Sequence, residues 1–201
     1  KAAMKIGELI MLATNLQPFL MGIVVSVLVG IALTLPISSA AICAAFGLTG
    51  LAGGAAVAGC CAQMVGFAVM SFKENRWGGL VSQGIGTSML QMGNIIKNPR
   101  IWIAPIVTSA ITGPMATCLF KLQMNGTPVS SGMGTCGFVG QIGVYSGWVA
   151  DIANGTKIAI TGFDWAGLIL ISFILPAVIC PLINMLLKKI GWVKDGDMKL
   201  S

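Results

Sequence analysis

Residues 125–148 read NGTPVSSGMGTCGFVGQIGVYSGW. The stretch carries seven glycines, one proline and no charge, and apolar runs flank it on both sides. A segment this polar and glycine-rich is tolerated at membrane depth only inside protein or beside water. Such places are where transporters hold their cargo. Thr127-Pro128 reads as an N-cap followed by the first helical position, which leaves the amides near Val129, Ser130 and Ser131 free to face a polar or anionic group. The plainer alternative is that the glycines only let helices approach closely.

Composition makes membrane depth the right frame. The chain has 201 residues, 56% hydrophobic and 9% charged, with a mean hydropathy of +0.90. Soluble domains carry about 25% charged residues, so the fold class is all-α, a polytopic transmembrane helix bundle in a single domain over 1–201. Four stretches are apolar enough to span: Leu16 to Leu35, Gly47 to Phe72, Ile101 to Leu122 and Phe163 to Leu187. The third is expected to kink or break around Thr112-Gly113-Pro114. Residues 1–15 are mildly amphipathic. Between the second and third spans, Val81, Ile85, Met89, Met92 and Ile96 recur at threes and fours, alternating with Ser82, Gln83, Thr87, Gln91 and Asn94. That spacing predicts an amphipathic helix, lying at the interface or tucked into the bundle, which Asn98-Pro99 ends. Trp102, Trp148 and Trp165 read as interfacial anchors.

Charge supplies a check on topology. With four full crossings and residues 125–148 returning to the side they entered from, the N-terminus, the 73–100 segment and the C-terminal tail share one face. That face then holds ten of the twelve Lys and Arg residues, leaving Lys121 and Lys157 opposite. A complete crossing by 125–148 would reduce the asymmetry to seven against five. The positive-inside rule therefore favours a glycine-rich re-entrant hairpin, with both ends of the chain cytoplasmic. The basic residues are spread beside the spans, so the net charge of +6 does not point to nucleic acid.

The chemistry on offer is neutral. None of the six carboxylates falls in the middle of an apolar span, and there is no histidine. The six cysteines form no C-x-x-C pair, so they read as small buried thiols rather than a metal set. No catalytic residue, cofactor or metal site is expected. The polar groups near membrane depth are amides and hydroxyls, among them Gln63, Gln91, Asn94, Asn125, Thr127, Ser130, Ser131, Thr135 and Gln141. Such groups donate and accept, which suits a sugar or polyol.

The runs LQPFLMGIVVSVLVGIALTLPISSAAI at 16–42, GLTGLAGGAAVAG at 47–59 and KNPRIWIAPIVTSAITGPMATCLFKLQMNGTPVSSGMGTCGFVGQIG at 97–143 resemble a family of bacterial membrane proteins. These are the IIC components (EIIC type 2) of the phosphoenolpyruvate-dependent sugar phosphotransferase system, and the likeness falls on the C-terminal half of longer members. The resemblance implies a permease of the bacterial cell membrane that binds and translocates a sugar while a soluble IIB partner, itself loaded by IIA, phosphorylates it. This chain is then at most the membrane component of the transferase, and a homodimer in the lipid bilayer is the family-like expectation. On the matching motif, sugar contacts are expected from Asn125, Thr127, Ser130, Ser131 and Gln141. The competing readings are a transporter or channel for another small solute without phosphoryl transfer, and a membrane scaffold or sensor.

Overall fold

The computed structural model describes residues 2–200, which are all-helical apart from turns and one isolated bridge between Gly50 and Met124. Helix α1 (Ala2–Leu16) is separated by Gln17 from α2 (Pro18–Thr34), where Pro18 occupies a first-turn position that needs no amide. Helix α3 (Ser39–Phe46) starts on the Ser38 hydroxyl, which accepts from the Ala41 amide at 3.1 Å, and stops at left-handed Gly47. Helix α4 (Gly50–Met70) is almost wholly buried and forms the axis of the bundle. Helix α5 (Phe72–Val81) runs into a π turn at Ser82–Gly86, and a 3-10 turn at Ser88–Gln91 leads into α6 (Met92–Lys97). A 3-10 turn at Pro99–Trp102 feeds α7 (Ile103–Pro114), and a π turn follows at Met115–Leu119. After the short α8 (Pro128–Ser131) come a 3-10 turn at Cys136–Phe138 and α9 (Val139–Ala153). A capping box of Thr161 and Asp164 opens α10 (Gly162–Ile169), which continues through a π turn at Leu170–Ile174 into α11 (Leu175–Lys189).

Among the described residues, three helical runs are long and apolar enough to cross a membrane: Gly50–Met70, Pro99–Leu119 and Gly162–Lys189. The fourth expected span, Leu16 to Leu35, is the shorter Pro18–Thr34. It runs parallel to α4, with Ser26 and Gly30 against Gly59 and Thr34 beside Gln63, and so ends well short of the Met70 end. Helix α3 then returns toward the start of α4. Residues 7–11 of α1 also sit at that starting end, Gly7 against Phe46 and Met11 beside Thr49. An N-terminus on the face of the C-terminal tail presumed that 16–35 crossed fully, which α2 does not do.

Small residues set the packing. A Cβ placed on Gly59 would lie 1.8 Å from the Ser26 carbonyl oxygen, and one on Gly113 would lie 2.3 Å from that of Gly22. The backbones of α2, α4 and α7 thus touch directly, as at close crossings generally. The Ser26 hydroxyl adds a 2.8 Å bond to the Ser109 carbonyl. Proline accounts for two of the three π turns. Pro114 supplies no amide to the turn at 111–114, and the helix beyond it relaxes to a bond from Phe120 N to Met115 O at 3.0 Å. Pro176 lies just beyond the π turn at Leu170–Ile174.

The glycine-rich stretch is a hairpin. Gly126 packs on Gly143, Ser130 on Gly143 and Asn125 on Gly147, and the Asn125 amide donates to Asp151 at 2.7 Å. Both arms therefore begin and end beside Met124 and the start of α4, and the tip at 132–138 stops against Cys60 and Cys61 halfway along it. Gly134, Gly137 and Phe138 all have positive φ there, with Phe138 at 58°, a conformation that strains a residue carrying Cβ.

The 72–97 segment is a second hairpin rather than one continuous amphipathic helix. Thr87 (φ −159°) interrupts it, and the arms join through Gln91 Nε2 donating to Gln83 Oε1 at 2.8 Å. Gln83 and Gln91 are buried, whereas Val81, Ile85 and Ile96 are exposed. The apolar face thus looks outward, as it does when the solvent is lipid. Trp102 and Trp148 also depart from the anchor reading: Trp102 hydrogen-bonds inside the bundle, and Trp148 is 2% exposed in the core. Trp165, with its 43% exposure, matches the anchor pattern.

Candidate functional site

The two hairpins enter from opposite ends of the bundle and their tips meet. Thr135 Oγ1, on the 125–151 hairpin, donates to the Gly84 carbonyl on the 72–98 hairpin at 2.5 Å. The turn between α2 and α3 reaches the same level, since the Ser39 hydroxyl donates to Gly132 O at 2.7 Å. A cleft of about 400 Å³ opens where the three turns converge, lined by Ser38, Ser39, Thr87, Met133 and Cys136, with Leu33 and Pro36 alongside. No charged side chain lines it.

Behind the cleft lies a buried polar network centred on Gln63. Its Oε1 accepts from Trp102 Nε1 at 2.8 Å and from Thr34 Oγ1 at 3.2 Å, and its Nε2 donates to Ser109 Oγ at 3.4 Å. Thr34 also bonds Ser88 Oγ at 2.9 Å, so the network reaches the tip of the 72–98 hairpin. Thr34, Gln63, Ser88 and Ser109 are fully buried. An amide and several hydroxyls held off water at mid-bundle are costly unless paired. Here they pair with one another behind the cleft, whose lining also includes Ile37, Ala40 and Met89. π turns, frequent at functional sites, lie at Ser82–Gly86 beside the tip and at Leu170–Ile174 behind Gln141.

The residues singled out on the glycine-rich motif are not gathered at one point. Asn125 lies at the open end of its hairpin, on a cleft of about 540 Å³ with Gln123, Trp148, Asp151 and Lys157. Thr127 is exposed and bonds Ser130 Oγ at 2.9 Å, while Ser131 Oγ is spent on Pro128 O at 2.7 Å. Gln141 sits on the return arm, donating to Ser172 at 3.0 Å and to Cys61 Sγ at 3.3 Å, with its carbonyl oxygen buried and unpartnered among the described residues. The motif thus forms a ladder from the mouth to mid-depth. Thr34, Ser88 and Ser109 escaped the sequence reading because short hydroxyl residues within apolar runs carry no periodic signal, and Trp102 reads from sequence only as an interfacial anchor. Among the described residues, no group of three His, Cys, Asp or Glu side chains is placed to hold a metal.

A family model described as "Phosphotransferase system, EIIC" matches residues 1–200. No curated protein and no solved structure matches the chain.

Proposed function

The chain belongs to the EIIC family of the phosphotransferase system, and from that membership we propose that it binds a sugar or polyol where the hairpin tips meet and delivers it to a IIB partner for phosphorylation. The observation that carries this reading is the Thr135–Gly84 contact between hairpins from opposite ends, set against the Gln63 network. Broken helices that present irregular backbone at mid-depth are the usual frame of a transporter's binding site. Thr34, Gln63, Ser88 and Thr135 make the central contacts in this reading. Asn125, Thr127, Ser130, Ser131 and Gln141 line the approach from the mouth.

Orientation follows from charge. Lys73, Arg76, Lys97 and Arg100, with Lys188, Lys189, Lys194 and Lys199, all belong to the end where α4 and α11 finish, whereas Lys5, Lys121 and Lys157 lie at the opposite end. The richly basic end is cytoplasmic by the positive-inside rule and is where IIB, charged by IIA, docks. In this reading 1–201 acts as one transmembrane domain in the bacterial cell membrane and pairs as a homodimer. The phosphoryl group comes from IIB.

Sugar-induced stabilisation tests the reading, because a ligand bound only to the folded state raises Tm by mass action. Purified protein in detergent is melted across hexoses, pentoses and polyols. A Tm rise with one of them, lost in Thr135→Val and Gln63→Leu, is the expected result. Cooperative melting with no rise for any sugar overturns it.

A further inference from the structure

At the basic end, on the outer side of the bundle, the last turn of α4 meets α5 and α11 around a cleft of about 350 Å³. Its walls are apolar, formed by Val69, Phe72, Leu80, Pro181 and Met185, and Lys73 and Lys188 stand on its rim. Asn184 also lines it, four residues before Lys188, or about 6 Å along the axis. Asn184 is 5% exposed, and its side-chain carbonyl oxygen has no hydrogen-bond partner among the described residues. Trp77, 71% exposed and edge-on to Phe72 at 5.3 Å, puts this end of α5 at the depth that indoles favour, the membrane–water boundary.

An acyl chain fits the walls, but hydrocarbon alone leaves the carboxamide and the Lys73 ammonium unserved, and Lys188 with only the exposed Asp195. A phosphate on the lysines, with ester oxygens accepting from the Asn184 amide N–H and a hydroxyl donating to its carbonyl oxygen, serves all three. We propose that this cleft binds an anionic phospholipid from the leaflet at the basic end, phosphate on Lys73 and Lys188, glycerol region on Asn184 and acyl carbons against Phe72, Leu80 and Met185. Asp195 is the built-in competitor. It pairs with Lys188, and that hydrogen bond and charge, with a lesser contribution from Lys73, hold its carboxyl below the usual aspartate range. Glu74 is occupied elsewhere, accepting from the amides of Gly196 and Met198 at 2.8 and 3.0 Å. The proposal requires only that the chain spans a membrane, so it stands or falls separately from the sugar reading.

Native mass spectrometry of the full chain in detergent, with phosphatidylglycerol or phosphatidylcholine added, tests it. Phosphatidylglycerol should be retained several-fold over phosphatidylcholine. Lys73→Gln combined with Lys188→Gln should bring the ratio toward one, and Asp195→Asn, an exposed and structurally mild change, should raise it. Asn184→Leu should weaken retention of both lipids. A wild-type ratio of one overturns the proposal, as does an unchanged ratio in a double-glutamine protein of wild-type Tm. Cross-linking of a Met185→Cys variant to a second copy through this face, in place of lipid retention, overturns it as well.

Discussion

Gln63 shows how much one carboxamide can organise at mid-bundle. It accepts the Trp102 indole N–H and the Thr34 hydroxyl and donates to the Ser109 hydroxyl at once. Gln63→Leu keeps the volume and removes all three partners. It should cost about 1–3 kcal/mol, the usual penalty for stranding a buried polar group, lower Tm in a melt, and erase any sugar-induced rise. The glutamine itself was legible in the sequence as a polar residue in an apolar run. Its partners were not, because they come from α2, α7 and the turn before α7, and local pattern says nothing about distant pairing. Trp102 was misread for the same reason: interfacial preference describes indoles on average, while here a specific acceptor inside the bundle captures its N–H. The motif residues were misgrouped for a different one. Closeness along the chain put Asn125 with Gln141, but the hairpin arms spread them along its depth.

At the scale of elements, the two hairpins meet through a single hydroxyl hydrogen bond. Thr135→Val removes that donor while keeping the shape of the side chain. The expected outcome is faster hydrogen exchange at residues 84–88 and 132–138 with Tm nearly unchanged. Unchanged exchange at both tips would mean that packing alone holds them. The 125–148 hairpin was readable because charge asymmetry and glycine content pointed the same way. The 72–98 hairpin was half readable. Its helical period was correct, but in lipid the apolar face turns outward and the glutamines turn in, and the break falls where Gly84, Gly86 and extended Thr87 lower the cost of leaving the helix. The C-terminal strap, residues 190–200, had no apolar signal at all. It is held by side chains of that hairpin: Asn75 and Gln91 both donate to Met198 O, and Asn94 donates to Lys199 O.

For the whole molecule, the count of membrane-length helices and the basic end together give a labelling prediction. A cysteine at Lys157 should react with an impermeant thiol reagent added outside intact cells, and one at Lys194 only after permeabilisation, in a background lacking the exposed Cys118. The reverse pattern would invert the orientation. Hydropathy made the three long helices legible, but not that α2 stops beside Gln63, since an apolar run reports burial or lipid and not which end the helix reaches. The glycine contacts among α2, α4 and α7 carry one more consequence. Helices that touch backbone to backbone have no side-chain rotamers at the seam with which to rearrange. They behave as a fixed three-helix post. Any cycle that exposes the junction first to one side of the membrane and then to the other must leave that post standing, and flex instead at the hairpins and the π turns around it.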